Sequence, residues 1–279
     1  MGKGKKLMKI EIEKYEAFLR DANKSENTIT LYLFSANQYI ARYDGKLSKA
    51  NLRDYRNYLR DNFAIKTCNS RLNAINLYIE KVLKKPQMKI EYLQEQQKPF
   101  LENVISDADY EYFKKCLDTP ATKYWYFVIR FLAATGARIH EFIQFKVEHV
   151  KRGHVDLYGK GAKMRRIYFP AALQKDALAW LGEIGRDSGF IFVNKYGKLI
   201  TPRGIAYQLK EFAKKFKIPT EVVYPHSFRH RFAKNFLEKY KDIAFLADLM
   251  GHSSIETTRI YLRKTATEQR EIVDQIITW

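Results

Sequence analysis

Along most of the chain apolar residues recur every three or four positions, the spacing of a helix with one buried face. Four such runs fill residues 1–85. Glu11 to Ala22 carries Ile12, Tyr15, Phe18 and Leu19; a second run starts at Asn27–Thr28 and holds Leu31, Phe34 and Tyr39. Ser48 caps a third through Leu52, Tyr55 and Leu59, and Thr67 or Asn69 opens a fourth through Leu72, Ile75, Ile79 and Val82. The pattern breaks over 86–103, where Pro86, Pro99 and the polar tract Gln94 to Lys98 read as a linker. Ser106-Asp107-Ala108-Asp109 then reads as a capping box with Asp in place of Glu, so a second domain, 104–279, opens there.

Helical spacing resumes over 107–117, 122–134 and 138–147. One β signal follows: His154 to Tyr158 alternates, Gly159-Lys160-Gly161-Ala162-Lys163 turns, and Arg166 to Phe169 alternates again. This predicts a hairpin with a basic tip, which a short strand at Phe190 to Phe192 is expected to join. The remainder reads as helices over 171–181, 203–216, 226–239, 242–249, 255–264 and 267–277. The expected fold class is mainly α with a small β-hairpin (α+β): a helical domain, 1–85, and a mixed domain ending in a C-terminal helix, 266–279.

At 279 residues the chain is long enough for two cores, and 46% apolar residues argue against disorder. The formal charge of +19 changes the picture. Such an imbalance raises self-repulsion unless a polyanion neutralises it, and nucleic acid is the commonest polyanion. Lys24, Lys49, Arg53, Arg56, Arg60, Lys66 and Arg71 lie between the apolar stripes of the first domain, where they suit phosphate contact. No run of 18 apolar residues occurs, so no transmembrane helix is expected, and the basic start Met1 to Lys6 lacks a signal core. Cys68 and Cys116 are expected as free thiols in a reducing, cytoplasmic compartment.

Three stretches concentrate chemistry: Thr135-Gly136-Ala137-Arg138-Ile139-His140-Glu141, His226-Ser227-Phe228-Arg229, and Leu249-Met250-Gly251-His252 running through Thr257-Thr258 to Tyr261, with Ser253 or Ser254 as the N-cap of the last helix. In order and spacing these resemble the tyrosine recombinase (phage integrase) family, whose site uses Arg, Lys, His-x-x-Arg, His or Trp, and Tyr. The resemblance covers 104–265 by motif and 8–85 by general character; Ala137 stands where larger apolar residues are common, which bears on packing.

Cutting DNA with a tyrosine sets clear demands. A phenol with a pKa near 10 is only about one part in a thousand ionised at neutral pH. The phosphate gains charge as it becomes five-coordinate, and the leaving sugar oxygen needs a proton. Arg138 and Arg229 are the candidates for the phosphate clamp, because a guanidinium matches phosphate oxygens and stays charged. Glu141, one turn from Arg138, is placed to orient it. His226 and Arg229 share a helix face at i, i+3 behind Pro225. His230 completes a pair with His226 that lacks further metal ligands, so it reads as a packed helix residue. His252 is positioned either for a non-bridging oxygen or for the tyrosine.

The resemblance implies further roles. Tyr261 would attack the phosphate and leave a 3′-phosphotyrosyl link with a free 5′-hydroxyl. A lysine on the hairpin turn would protonate the leaving oxygen; Lys160 matches best, with Lys163 the alternative, while Arg165 and Arg166 are expected on backbone phosphates. The implied protein is a site-specific recombinase working without metal, ATP or cofactor. Its partners would be double-stranded DNA clamped between both domains, a homo-tetramer on DNA formed from free monomers, and accessory DNA-bending or directionality factors, with no membrane. The helix after Tyr261, with Ile272, Ile276 and Ile277 on its apolar face, would dock on a neighbouring subunit or cap its own domain. Two other functions use the same residues differently. A type IB topoisomerase would nick and reseal, and a regulator would bind DNA with a vestigial site.

Overall fold

This computed structural model describes residues 3–95, 103–158, 164–252, 254–262 and 266–277, with backbone alone at 3–10, 266–268 and 272. The chain divides into two compact units, Met1–Gln97 and Lys98–Trp279.

Among the described residues the first unit has four α-helices, α1 (Lys3–Asp21), α2 (Glu26–Tyr43), α3 (Lys49–Asn62) and α4 (Ile65–Lys81), and a 3-10 turn at Pro86–Met88. Ser25 and Ser48 cap α2 and α3, each hydroxyl accepting from a backbone amide three residues on. α4 is the central rod, burying Cys68, Leu72, Ile75, Tyr78 and Ile79 against Tyr15, Leu19, Tyr39, Tyr55 and Leu59. Each large aliphatic side chain so buried contributes about 1.5–3 kcal/mol. The first part of the expected linker packs on this unit. Two asparagines seven apart on α4 hold it: Asn76 pairs with both backbone groups of Ile90 at 2.7 and 2.8 Å, and Asn69 does the same for Leu93 at 2.8 and 2.9 Å. Buried backbone left unpaired would be destabilising, and the two amides satisfy it.

The second unit begins with α5 (Asp107–Leu117), capped by Ser106, and α6 (Lys123–Thr135), a hydrophobic rod ending at Gly136. The helix expected over 138–147 is instead two pieces, α7 (Ile139–Phe142) and α8 (Val147–Arg152). Between them the chain runs extended at Lys146, which bridges Phe190, while the Ile191 amide donates to Phe145 at 3.0 Å. Phe142, Phe145, Phe131 and Phe192 pack together here, so aromatic burial draws these extended pieces to each other. Phe190 to Phe192 therefore does not join the hairpin. That hairpin is β1 (His154–Tyr158) paired antiparallel with β2 (Met164–Tyr168), in the register Val155 with Ile167 and Leu157 with Arg165. Its tip, with the candidate acid Lys160 and the alternative Lys163, lies outside the described residues.

The remaining elements are α9 (Ala171–Glu183), α10 (Pro202–Lys215), α11 (Pro225–Lys239), α12 (Ile243–Met250), α13 (Ile255–Arg259) and α14 (Ala266–Ile276). The helix expected over 255–264 stops at Arg259, and a tighter 3-10 turn, Ile260–Leu262, carries Tyr261 inward. There the ring joins a small core with Ala233, Leu237, Leu246 and Met250. Val273, Ile276 and Ile277 of α14 and its following residue are exposed. No helix among the described residues is long and apolar enough to cross a membrane.

Candidate active site

Two glycines let the site close up. Gly136 ends α6 in the left-handed region (φ 58°), and a β-carbon there would run into the Phe232 ring. Gly251 ends α12 the same way (φ 61°), with the Arg165 side chain lying against it. The chain thus turns sharply on both sides of α11, delivering Arg138 after the first turn and His252 after the second.

A helix leaves its last carbonyls without intrahelical partners, and α12 has guanidinium groups on three of them. Arg165 Nε donates to Leu249 O at 2.7 Å, Arg229 Nη2 to Met250 O at 2.8 Å, and Arg138 Nη2 to Gly251 O at 2.9 Å. Glu141 links two of these cations. It accepts from Arg138 Nη1 at 3.0 Å and from the Arg138 backbone amide at 2.7 Å, and from Arg165 Nη1 at 2.8 and 2.9 Å. Three guanidinium charges against one carboxylate leave a net positive site suited to an anion. Arg138 keeps 40% of its side chain exposed and is the most open of the three.

Arg229 is buried and its Nη1 also donates to Gly136 O. Its Nη2 meets His252 Nε2 at 3.0 Å, and His252 Nδ1 meets Thr258 Oγ1 at 2.7 Å. A guanidinium only donates, so His252 Nε2 accepts and the ring proton sits on Nδ1, pointing at Thr258. The Tyr261 ring is buried, stacked at 14° and 6.3 Å from His252, with the His230 ring 5.4 Å away on another side.

Electrostatics follow from this crowding. Burial, then Arg229 and Arg138, push His252 down to about 4, so it is neutral at neutral pH. His226 is lowered by the protein packed around it and by Arg229 and Arg138, and His230 is pushed to about 4 by burial, His226 and Arg229. Burial and the neighbouring Arg138 and Arg165 bring Arg229 down to about 10, still charged at neutral pH. Burial raises Tyr261, while the charge and hydrogen bond of Arg229, and the charge of Arg138, oppose that rise. Glu141 stays below the usual carboxylate range: burial pushes upward, and Arg165 with the two Arg138 contacts outweighs it.

Of the residues picked from sequence, Arg138, Arg229, His252 and Tyr261 form one connected cluster. His226 lies one turn before Arg229 on the same helix, exposed, within reach of both arginine charges. Two members were missed. Thr258 takes the His252 Nδ1 proton in a hydrogen bond, and Arg165, expected on the DNA backbone, has a side chain only 9% exposed. The signal for Arg165 was available: in a strand it shares a face with Ile167, the core-facing residue, while Arg166 shares the other face and pairs with Asp156 at 2.7 Å.

The sequence matches the Phage integrase family over residues 103–268, and the N-terminal SAM-like domain of phage integrases over 12–89. The first match alone spans more than half of the chain, and the protein belongs to this family of tyrosine recombinases. Tyrosine recombinase XerA of Pyrococcus furiosus is 27% identical over 277 residues, spanning 95% of this chain and 93% of its own. Tyrosine recombinase XerC of Leptospira interrogans is 34% identical over 151 residues, 52% of this chain and 48% of its own. In fold, the chain is similar to the XerH site-specific recombinase bound to difH substrate in a pre-cleavage complex. That similarity has TM-score 0.70 and 18% identity, covering 94% of this chain and 84% of that one. It is also similar to the Tn1549 transposon integrase in complex with transposon right end DNA, with TM-score 0.69 and 15% identity over 96% of this chain and 99% of that one.

Proposed function

We propose that this chain is a site-specific DNA recombinase that cuts and rejoins duplex DNA by transesterification at Tyr261. The observation that carries the reading is the buried Tyr261 phenol held against the Arg229 guanidinium, with Arg138 and His252 in the same hydrogen-bonded cluster. A scissile phosphate would replace the α12 carbonyls as partner of Arg138 and Arg229, whose planar forks suit its non-bridging oxygens. The Tyr261 oxygen attacks phosphorus while the bond to the 5′ oxygen breaks. The phenolic proton passes to a neutral imidazole; His252 is the proposed acceptor, its Nε2 released from Arg229 once that guanidinium turns to the phosphate. Lys160 of the hairpin tip supplies the proton to the 5′ oxygen, leaving a 3′-phosphotyrosyl link. Attack by a 5′-hydroxyl reverses these steps and restores the phosphodiester. Because the positive charge comes from arginines and the bond energy is kept in the tyrosyl ester, the cycle calls for neither metal nor ATP.

Around this chemistry we place a cytoplasmic protein that is a monomer when free and a tetramer on DNA, aided by accessory DNA-bending or directionality factors. The basic helical unit adds phosphate contacts, and the exposed apolar side chains of α14 suit docking on a neighbouring subunit. Trapping an SDS-resistant protein–DNA adduct tests the reading. The substrates are labelled fragments, intact and nicked, from DNA flanking the gene, with EDTA present. The expected result is an adduct with the native chain and none with Tyr261→Phe. Binding with no adduct on any fragment would favour a regulator with an idle site. Strand exchange between two duplexes separates recombination from nicking and resealing.

A further inference from the structure

We propose that Arg165 is a positioning residue that holds the two arms of the phosphate clamp in register through Glu141 and the end of α12. The proposal rests on the recombinase reading for what the clamp binds, and on the side-chain geometry for the rest.

Arg165 sits on β2 with its side chain turned under the sheet, among the least exposed cations of the site. Its Nε is engaged by Leu249 O and its Nη1 by both oxygens of Glu141. Its Nη2 is buried with no hydrogen-bond partner. With its engaged donors directed into the protein and its side chain covered, Arg165 has no open face for a DNA backbone. What it touches is informative. Glu141 is the carboxylate that fixes both the backbone and the guanidinium of Arg138. Leu249 begins the three-residue end of α12 whose other carbonyls receive Arg229 and Arg138, and whose next residue is His252. Gly251, between them, lies against the Arg165 side chain so closely that a β-carbon would collide with it. One guanidinium therefore ties the Arg138 arm, the His252 turn and the strand that follows the hairpin tip.

The fork is what makes this work. A guanidinium can hold a carboxylate with one nitrogen and a carbonyl with another in one plane, whereas a lysine ammonium offers a single point of attachment. Without the tie, Glu141 loses its closest cation besides Arg138, and the turn before His252 loses its brace. A shift of about 1 Å in reacting groups costs on the order of 100-fold in rate.

The test uses the full chain with Arg165→Lys, Arg165→Met, Glu141→Gln and the double variant Arg165→Met/Glu141→Gln. Single-turnover adduct formation is measured at saturating nicked duplex, and duplex affinity separately. The expected outcome for Arg165→Met is a cleavage rate down about 100-fold with affinity changed less than about threefold. Arg165→Lys should restore only part of that rate, and the double variant should be no slower than the slower single variant, since both changes break one link. In the free protein the Glu141 carboxyl, followed by carbon-13 NMR, should titrate at higher pH in both Arg165 variants. A native cleavage rate in Arg165→Lys would overturn the proposal, as would a loss confined to affinity, additive single effects or an unmoved Glu141 titration. If Arg165→Met does not fold, Arg165→Lys decides alone. The two readings fail differently: no adduct from the native chain counts against the recombinase, and the Glu141 titration then still decides the role of Arg165.

Discussion

Buried tyrosines occur in both units, and they are held in opposite ways. In the first unit Tyr15 donates to Ala74 O at 2.7 Å, Tyr55 to Gln38 Oε1 at 3.0 Å, and Tyr78 to Glu11 Oε2 at 3.2 Å. Every one of these partners is an acceptor, so the neutral phenol is the favoured form, and burial pushes all three well above the ordinary tyrosine value. Tyr261 is buried too, but the charged group that acts on it is the Arg229 guanidinium, a cation. Burial still raises it, and the charges of Arg229 and Arg138 work against that rise by favouring the phenolate. The difference teaches that burial alone does not mark a catalytic tyrosine. If Tyr261 is the nucleophile, what separates it is the weight of cationic groups around it.

The largest effect should come from removing Arg229. Arg229→Ala deletes the cation facing Tyr261, one arm of the phosphate clamp and the donor to His252 Nε2 together. The single-turnover adduct rate should fall by about 1,000-fold or more, since loss of one preorganised donor alone costs 100- to 1,000-fold in comparable sites. Arg229→Lys should recover little, because one ammonium cannot reach Gly136 O, Met250 O and His252 at once. A near-native rate in Arg229→Ala would erase the distinction between Tyr261 and the tyrosines of the first unit.

Much of this distinction was legible in the sequence, because the motif residues lie at helix boundaries that caps and glycines announce. Ser106 and Ser254 cap where expected, and Gly136 and Gly251 punctuate the two turns. What pattern could not reach was tertiary. The break at Lys146 depends on aromatic packing with Phe192, far along the chain. The early end of α13 depends on the pocket that receives Tyr261. Arg165 was misjudged because a cation between basic neighbours suggests solvent, and its burial is affordable only beside Glu141, a partner distant in sequence.

Acid should separate the two units next. All six histidines lie beyond residue 139, so the first unit has none. His230 and His252 are pushed down to about 4 in the folded state, against an ordinary value near 6.5. Between those values the unfolded chain binds more protons than the folded one. Their contribution is therefore complete above about 6.5 and is lost as pH falls towards 4. Allowing for solvent screening, the loss from His230 is roughly 2 kcal/mol. Hydrogen exchange on the full chain, read segment by segment, should show α11 and α12 losing protection over this range before α2 and α4. Equal loss in both units would mean that the site histidines do not govern acid stability. His230→Phe should flatten the dependence, because an apolar ring keeps the packing and removes the proton.

The smallest effect belongs to Tyr15→Phe, and it tests the other side of the comparison. The Tyr15 hydroxyl donates to Ala74 O in the middle of α4, a carbonyl that the helix itself also supplies with a donor. Removing the hydroxyl therefore leaves no buried carbonyl wholly unpaired, and the ring keeps its packing against Tyr78 at 5.3 Å. The expected destabilisation is about 1 kcal/mol, the net value of one hydrogen bond, seen as a lower denaturant midpoint with unchanged slope. Adduct formation at saturating DNA should be unchanged, since an acceptor-bound phenol serves the fold and not the chemistry. A Tyr15→Phe chain that bound and folded normally but cleaved slowly would give this tyrosine a part in the reaction, and burial with an acceptor could no longer separate structural tyrosines from the nucleophile.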